Sequence, residues 1–274
     1  MDKVSDTAHL KLNNLKRILG EMDDVVVAFS GGVDSTFLLW VAEKTLGNRV
    51  FAVTGKSGSV ASGQIEEAIQ FAKEIRVHHI VIDTEELQDP QYAQNPINRC
   101  YFCKKELFTK LEFFAKERDI KLIIEGSNLD DMSDYRPGMK AVAEYNVRSP
   151  LKEAKLTKSE IRELSKEAGL PTWNKPGSPC LSSRIPYGMS VSIEKLSMID
   201  RSEAYLRSLG FKELRVRHHG NIARIEILPK DFMKLLNRDT AMGVTKTLQS
   251  FGFQFVTLDL IGFRSGSLNE SIVK

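Results

Sequence analysis

Short apolar segments alternate with amphipathic segments through the first half of the chain. The apolar segments have the length of buried parallel strands and lie at 25–29, 50–53, 79–82 and 122–125. Helical periodicity marks the segments 9–20, 37–46, 65–75 and 104–118. Strands that alternate with helices of this length predict an α/β fold with a doubly wound, mostly parallel sheet.

The pattern changes after residue 136. Glycine and proline punctuate 136–190, where one helix begins at a capping box formed by Thr157 and Glu160. The segments that follow predict helix 193–209, strands 214–218 and 222–227, helix 231–248 and strand 254–260. We therefore expect a first domain over residues 1–188 and a smaller C-terminal α+β domain over 189–274.

Composition narrows the class of protein. Hydrophobic residues make up 42% and charged residues 27% of the 274 residues, which excludes disordered and fibrous classes. No run approaches the roughly 18 apolar residues that span a bilayer, and the N-terminus mixes acids with bases, unlike a signal peptide. Three cysteines are an odd number, which favours a reducing compartment over a disulfide framework. We expect a soluble, cytoplasmic protein without a membrane partner.

Charge is distributed unevenly along the chain. Residues 1–150 hold 19 Lys and Arg against 23 Asp and Glu, whereas residues 151–274 hold 20 against 13. A basic second half fits an anionic partner, either a phosphorylated small molecule or RNA. A solvated basic face is the alternative interpretation.

The segment Ser30-Gly31-Gly32-Val33-Asp34-Ser35 lies directly between a predicted buried strand and a predicted helix. The carboxyl end of such a strand is where open α/β sheets bind nucleotides. Gly31 and Gly32 permit a tight turn close to an anion, and the following amides open a helix whose dipole favours phosphate. Ser30 and Ser35 add hydroxyl donors, and Asp34 is a candidate ligand for Mg²⁺.

This loop resembles the signature of the PP-loop ATP pyrophosphatases, which cleave ATP between its α and β phosphates. Further motifs resemble the LarE family of sulfur transferases, which make the pyridinium-thiocarboxylate mononucleotide of a nickel-pincer cofactor. These motifs are EGSNLDD at 125–131, DYRPG at 134–138, SSRIPYG at 182–188, LRVR at 214–217, IARIE at 222–226, TLDL at 257–260 and GFRSG at 262–266.

The resemblance implies adenylation of a carboxylate of pyridinium-3,5-dicarboxylate mononucleotide, followed by sulfur insertion and release of AMP and pyrophosphate. It implies a homo-oligomer that uses ATP, Mg²⁺ and an external sulfide or sulfur donor. Asp34, Cys180, Ser183 and Arg184 are the implied catalytic residues. Further ATP contacts are expected from Ser57, Gly126 and Arg136, and substrate contacts from Arg184, Glu203, Arg215, Arg217 and Asp231. Arg215 and Arg217 alternate on a predicted strand and therefore share a face.

The cysteines allow three interpretations. Cys100 and Cys103 form a Cys-x-x-Cys pair, and Cys180 lies in a distant Gly-Ser-Pro-Cys loop. They are unrelated thiols, ligands of a structural zinc ion, or ligands of an iron–sulfur cluster. LarE-like proteins with one cysteine sacrifice its sulfur, whereas those with three are thought to hold a [4Fe–4S] cluster whose open iron binds a transferable sulfide. The pair favours the cluster.

Two other functions use similar features. A tRNA-thiolating PP-loop enzyme would also need ATP and three cysteines, and the basic second half agrees with it. However, the chain has neither a second Cys-x-x-Cys pair nor an aromatic-rich basic stretch, which speaks against nucleic acid. A non-catalytic nucleotide sensor of the universal-stress type is the second alternative, and the intact loop speaks against it.

Overall fold

A computed structural model describes residues 4–132, 137–264 and Leu268. The chain divides into two compact units. The first comprises Met1–Ser57, Gly63–Glu86 and Asn98–Ser178, and the second comprises Gly58–Ser62, Leu87–Ile97 and Pro179–Lys274. The second unit thus includes residues 179–188, which the sequence pattern assigns to the first domain. The functional domains 1–188 and 189–274 stay a prediction.

A parallel sheet forms the centre of the first unit. Its strands are β1 (Val25–Ala28), β2 (Val50–Lys56), β3 (His78–Asp83) and β4 (Leu122–Glu125), in the order β3-β2-β1-β4. Valine makes up three of the four residues of β1, and leucine and isoleucine make up three of the four of β4, because both faces of these strands are covered. The order places β1 between β2 and β4, so the chain reverses direction across the sheet at β1. Crevices at such switch points bind ligands.

Helices cover both faces of this sheet. They are α1 (Asp6–Gly20), α2 (Val33–Leu46), α3 (Gln64–Ile75), α5 (Arg99–Lys116), α6 (Gly138–Glu144), α7 (Pro150–Glu153) and α8 (Lys158–Glu167), while α4 (Pro90–Ala93) lies in the second unit. One core packs Val25 and Val27 of the sheet with residues of α1, α2, α3 and α8. The other packs Val26 and Val53 with residues of α5 and α6. The predicted doubly wound fold is confirmed.

The helix predicted at 104–118 begins earlier than its periodicity indicates. Helix α5 starts at Arg99, so Cys100 and Cys103 lie at the start of this helix, as the sequence indicates, at its second and fifth positions. The helix begins Arg-Cys-Tyr-Phe-Cys-Lys-Lys, a mixture of charged, aromatic and cysteine side chains without an apolar repeat of helical spacing, so periodicity does not mark its start. The capping box of Thr157 and Glu160 is confirmed at the start of α8.

The second unit contains a three-stranded sheet and its own core. The strands β5 (Leu214–His219), β6 (Ile222–Ile227) and β7 (Phe255–Leu258) lie in the order β5-β6-β7, antiparallel and then parallel. Helix α9 (Ile193–Ser208) precedes the sheet, and α10 (Phe232–Leu236) and α11 (Arg238–Ser250) lie between β6 and β7. The buried residues Leu206, Phe211, Val216, Ile225 and Leu248 belong to this core. The predicted small α+β fold is confirmed.

The helix predicted over 231–248 is two helices. The extended backbone of Asn237, at φ −54° and ψ 133°, ends α10. The Asn237 side chain then accepts hydrogen bonds from the amides of Asp239 and Thr240 and caps α11. Apolar periodicity continues across this break, so only the local capping chemistry marks it. Among the described residues, no helix is both long enough and apolar enough to cross a membrane.

Candidate active-site residues in the two units

The glycine-rich loop leaves β1 at its carboxyl end and opens α2. Gly31 has a φ of +67°, a conformation that L side chains rarely adopt. A Cβ atom at Gly31 would also lie 3.2 Å from the Cβ atom of Ala68 on α3. Gly32 is extended, with a φ of −81°, and forms the N-cap of α2. The tight turn therefore depends on Gly31, while Gly32 leaves the helix N-terminus without a covering side chain.

Two serine hydroxyls organise the interior of the loop. The Oγ atoms of Ser30 and Ser35 lie 3.0 Å apart. Ser35 Oγ also accepts a hydrogen bond from the Ser30 amide at 3.3 Å, and the Ser30 hydroxyl accepts one from the Gly32 amide at 3.4 Å. These contacts join the two ends of the turn and keep both hydroxyls at the start of α2. The first amides of a helix have no partner within the helix and favour anions.

Asp34 lies in the first turn of α2 and pairs with Lys158, the first residue of α8. Its Oδ1 atom is buried and makes no hydrogen bond of normal geometry in the described part of the chain. Burial raises the pKa of Asp34 and the charge of Asp131 adds to this, although Lys158 and the nearby Asn128 amide act in the opposite direction. Bringing a cation to this carboxylate would relieve the cost of its burial.

Two lysines that the sequence pattern did not single out contact the loop. Lys158 neutralises Asp34, and Lys175 donates from Nζ to the Gly31 carbonyl at 3.0 Å and to Glu67 Oε2 at 2.6 Å. Both belong to elements far along the chain from the loop. Nothing in their spacing predicts this convergence, because it is created by the packing of α8 and the segment after it.

Two further predicted nucleotide residues follow β2 and β4, the strands on either side of β1. Gly126 comes directly after β4, and a Cβ atom there would lie 3.0 Å from the Ser35 amide nitrogen. Glycine is therefore required for the loop to approach β4. Ser57 follows β2 and donates a hydrogen bond to Glu86 Oε1 at 2.5 Å. Arg136 lies outside the described residues.

A buried carboxylate next to Gly126 was also missed by the sequence pattern. Glu125 accepts hydrogen bonds from the hydroxyls of Ser127 at 2.9 Å and Ser149 at 2.6 Å. Lys104 on α5 lies 3.3 Å away. Burial by itself would raise the pKa of Glu125, but Lys104 and the hydrogen bonds lower it overall. Glu125 thus joins the helix that carries Cys100 and Cys103 to the sheet edge.

The cysteines belong to different units. Cys100 and Cys103 lie three residues apart at the start of α5, so they share one side of the helix. Cys180 lies in the second unit, directly before a short 3₁₀ turn over Leu181–Arg184. Within the described part of the chain, no three His, Cys, Asp or Glu side chains are grouped as metal ligands. The three-cysteine site stays a prediction.

A cluster of buried arginines forms in the second unit. Arg184 donates to both carboxylate oxygens of Glu203, at 2.9 Å and 3.2 Å. Arg217 binds Glu226 in the same bidentate way, at 3.0 Å and 3.1 Å, and also donates to the Ser183 carbonyl at 2.6 Å. Arg184 additionally donates to the Cys180 carbonyl at 3.2 Å. Buried ion pairs therefore fix the Cys180–Arg184 turn beside β5.

Arg215 has a different environment from Arg217, although both project from the same face of β5. Its guanidinium lies 4.8 Å from the Phe263 ring and donates to the Arg264 carbonyl, and no ion pair joins it to a carboxylate among the described residues. Burial, followed by the charges of Arg217 and Arg184, lowers the pKa of Arg215. Arg215 is thus the cation of this cluster that best suits an external anion.

Two predicted substrate residues have other surroundings. Glu203 is fully buried and accepts from Arg184, from Arg207 and from the Val216 amide. Its lone pairs are therefore engaged within the unit, and it positions arginines. Asp231 lies half-buried before α10, and no ion pair joins it to the arginine cluster among the described residues.

Comparison with known proteins extends over the whole chain. Residues 24–95 match the family of the queuosine biosynthesis protein QueC. An uncharacterized protein of Synechocystis sp. is 44% identical over 96% of this chain and 98% of its own length. The pyridinium-3,5-bisthiocarboxylic acid mononucleotide synthase of Lactiplantibacillus plantarum is 38% identical over 98% of this chain and 97% of its own length. This chain belongs to the LarE family.

Membership of the LarE family confirms two predictions. The protein is an enzyme, an ATP-dependent sulfurtransferase with the PP-loop ATP pyrophosphatase fold. A GMP synthase of Aeropyrum pernix is 26% identical over 66% of this chain, but over only 39% of its own length. Similarity to that enzyme thus covers part of each chain, whereas similarity to the LarE relatives covers both chains almost completely.

Proposed function

We propose that this LarE family member converts a carboxylate of pyridinium-3,5-dicarboxylate mononucleotide into a thiocarboxylate. The carboxylate oxygen attacks the α-phosphate of ATP, which gives an acyl-adenylate and pyrophosphate. A hydrosulfide then attacks the acyl carbon and releases AMP. The near full-length similarity to a synthase of a bisthiocarboxylic acid mononucleotide is the observation that carries this proposal.

The loop residues Ser30, Gly31, Gly32 and Ser35 would bind the phosphates of ATP. The positive φ of Gly31 and the uncovered N-terminus of α2 support this role, because they present amides and hydroxyls to an anion. Ser57 and Gly126, which follow β2 and β4 at the same edge of the sheet, would contact the nucleoside. The amides and hydroxyls would stabilise charge on the departing pyrophosphate.

Asp34 is the residue that we expect to hold Mg²⁺. Its Oδ1 atom is buried and makes no hydrogen bond of normal geometry to the residues that the structure describes, and its pKa is raised; both fit a carboxylate that receives a cation when ATP binds. When bound, the ion would neutralise the phosphates of ATP. Lys158, which pairs with Asp34, would supply a second positive charge at the same carboxylate.

The arginine cluster of the second unit would bind the acceptor. A mononucleotide dicarboxylate carries carboxylates and a phosphate, which guanidinium groups bind in bidentate fashion. Arg215 would contact the ligand directly, because it lacks a carboxylate partner among the described residues. Arg184, Arg217 and Glu203 would hold the turn that carries Cys180 and Ser183. Asp231 is proposed as a further acceptor contact.

Cys100, Cys103 and Cys180 would together hold a [4Fe–4S] cluster, which would supply the transferable sulfide at its open iron. The start of α5 supports the first two ligands, since it places both thiols in one helical turn. Arg184 donates to the Cys180 carbonyl and would orient this residue. The external sulfur donor and the homo-oligomeric state stay predictions.

An acceptor assay tests this function. The protein, prepared anaerobically, is supplied with Mg-ATP and sulfide, and with the pyridinium dicarboxylate mononucleotide, bulk tRNA or no acceptor. We expect AMP and pyrophosphate with the mononucleotide alone, together with a product heavier by one sulfur-for-oxygen exchange. AMP formation that requires tRNA would support a tRNA-thiolating enzyme instead, and ATP binding without turnover would support a nucleotide sensor.

The source of the sulfur is tested on the same protein. We expect iron and sulfide in the anaerobic preparation, loss of both when any one cysteine becomes alanine, and more than one turnover with sulfide. A mass loss of ~34 Da at Cys180 after a single turnover would show that the cysteine sulfur itself was transferred, leaving dehydroalanine.

A further inference from the structure

A chain of hydrogen bonds links β3, β2 and the end of β1, directly before the glycine-rich loop Ser30–Ser35, which is called the phosphate loop below. His79 on β3 and Thr54 on β2 are joined by a contact of 2.8 Å between Nε2 and Oγ1. The Thr54 hydroxyl also contacts the carbonyl of Phe29, the residue after β1, at 2.7 Å. Thr54 and Phe29 are buried, and the Phe29 and His79 rings meet edge to face at 5.7 Å. The phosphate loop begins at the next residue, Ser30.

The direction of these hydrogen bonds follows from the groups involved. A carbonyl cannot donate, so the single proton of the Thr54 hydroxyl goes to the Phe29 oxygen. Thr54 Oγ1 must then accept from His79, which requires a proton on Nε2. Burial lowers the pKa of His79 and favours its neutral form. Both the neutral ring with Nε2–H and the protonated ring satisfy the chain.

The Phe29 carbonyl belongs to the same peptide group as the Ser30 amide. Because a peptide group is planar, fixing the carbonyl also fixes the direction of the N–H bond. That N–H group donates to Ser35 Oγ at 3.3 Å, and Ser35 Oγ lies 3.0 Å from Ser30 Oγ. Thr54 therefore fixes the carbonyl of this peptide group, and the N–H group of the same peptide fixes the Ser35 hydroxyl.

We propose that Thr54 and His79 are positioning residues for ATP binding: they fix the Phe29–Ser30 peptide group and, through it, the Ser35 hydroxyl. This inference rests on the proposed role of the loop as the ATP site. Neither residue belongs to the loop motif, and neither needs to touch ATP. A valine at position 54 would keep the shape of the side chain but leave the buried Phe29 carbonyl without its donor.

Paired variants test this inference. Thr54→Val and His79→Leu remove hydrogen-bonding groups, whereas Thr54→Ser and His79→Gln keep a hydroxyl and an N–H donor. His78→Leu is the matched control, because His78 is the preceding residue on β3, is exposed and stacks on Phe51 on the other face. The dissociation constant of Mg-ATP is measured by titration calorimetry, and the folded state by circular dichroism.

We expect Thr54→Val to weaken Mg-ATP binding about tenfold, the effect of losing a buried hydrogen bond, and His79→Leu to weaken it about threefold. Thr54→Ser, His79→Gln and His78→Leu should bind like the parent protein. The double variant should bind no more weakly than Thr54→Val alone, since His79 acts through Thr54. Affinity for the mononucleotide acceptor should remain unchanged in every variant.

Unchanged ATP affinity in folded Thr54→Val would overturn the inference, as would additive losses in the double variant or equal loss of acceptor affinity. If Thr54→Val does not fold, the His79 pair decides: weakened binding in His79→Leu with recovery in His79→Gln supports the inference, and unchanged binding overturns it. Failure of the parent protein to bind Mg-ATP would instead contradict the proposed function.

Discussion

At the scale of single residues, buried charged side chains fall into two groups: those paired within the protein, and those that we expect to bind a ligand. Arg217 pairs with Glu226, and Glu203 pairs with Arg184, in buried bidentate ion pairs. Arg215 is buried without a carboxylate partner among the described residues. Asp34 in the first turn of α2 likewise has a raised pKa, chiefly because it is buried. A buried charge that the protein itself stabilises poorly is expected to bind a ligand of opposite charge.

The first prediction concerns Asp34. Asp34→Asn should lower AMP formation roughly 100-fold or more, the scale of losing one electrostatic contact in a preorganised site. The free energy of unfolding should change little, because burial already penalises the Asp34 carboxylate. AMP release is measured beside urea unfolding, with Asp24→Asn, an exposed position before β1, as the control. Wild-type AMP formation by Asp34→Asn would contradict its assignment.

The second prediction concerns the pH dependence of stability. The pKa of Glu125 is lowered from its ordinary value of 4.5, so its contribution to stability is present above that pH and is lost as the pH falls through the folded pKa. Glu125→Gln should lower the free energy of unfolding at pH 7 by about 1–3 kcal/mol, because Lys104 loses its partner.

Urea unfolding at a series of pH values measures this effect. The difference between Glu125→Gln and the parent protein should shrink below pH 4.5, where the carboxylate is protonated in the unfolded chain. Glu163→Gln, at an exposed position on α8, is the control. A difference that stays constant between pH 7 and pH 3 would show that the loss does not come from the Glu125 charge.

At the scale of elements, the starts of three helices carry candidate residues of the first unit. Helix α2 begins at the phosphate loop, α5 begins with the Cys-x-x-Cys pair, and α8 begins with a capping box followed by Lys158. In each case the candidate residues lie at or directly before the start of the helix. The periodicity located α5 too late because its start mixes charged, aromatic and cysteine residues. It continued through the end of α10 because only the backbone and the cap of Asn237 mark that break.

The third prediction belongs to the boundary between α10 and α11. Asn237→Ala should lower the free energy of unfolding by about 1 kcal/mol, since the N-cap of α11 is lost. The side chain accepts from the Asp239 amide at 3.1 Å. Asn237→Asp keeps the acceptor and should unfold like the parent protein in urea. Equal destabilisation by both variants would mean that the cap is not the stabilising feature.

At the scale of the whole molecule, the chemistry divides between the two units. The loop with Asp34 lies in the first unit, and the arginine cluster with Arg215 lies in the second. The excess of Lys and Arg in residues 151–274 is shared by both units, because residues up to Ser178 belong to the first. Binding of ATP and binding of the acceptor should therefore respond to different substitutions.

The fourth prediction tests that division. Arg215→Gln should weaken acceptor binding by ~2 kcal/mol or more, as loss of a charge-assisted contact does, and leave ATP binding unchanged. Calorimetric titration with each ligand measures both effects, and Arg238→Gln at an exposed position is the control. An equal fall in ATP affinity for Arg215→Gln would contradict a separate acceptor site.

The sequence by itself determined the fold class, the phosphate loop and the family. Buried parallel strands can be predicted from the sequence because they are short apolar runs. The glycine-rich loop can be predicted because its residues, from Ser30 to Ser35, are consecutive. The motifs that resemble LarE proteins are likewise contiguous, and the near full-length similarity to a LarE relative confirms that assignment.

Only the tertiary structure decided which charges are paired and which side chains support the loop. Lys158, Lys175 and Glu125 reach their partners through strand order and helix packing, and Thr54 meets Phe29 across a parallel ladder. The tertiary structure also gave Arg215 and Arg217 different partners, although the sequence pattern places both on the same face of one strand. The physical reason is that these contacts join residues distant in sequence, whose proximity depends on the packing of the whole unit.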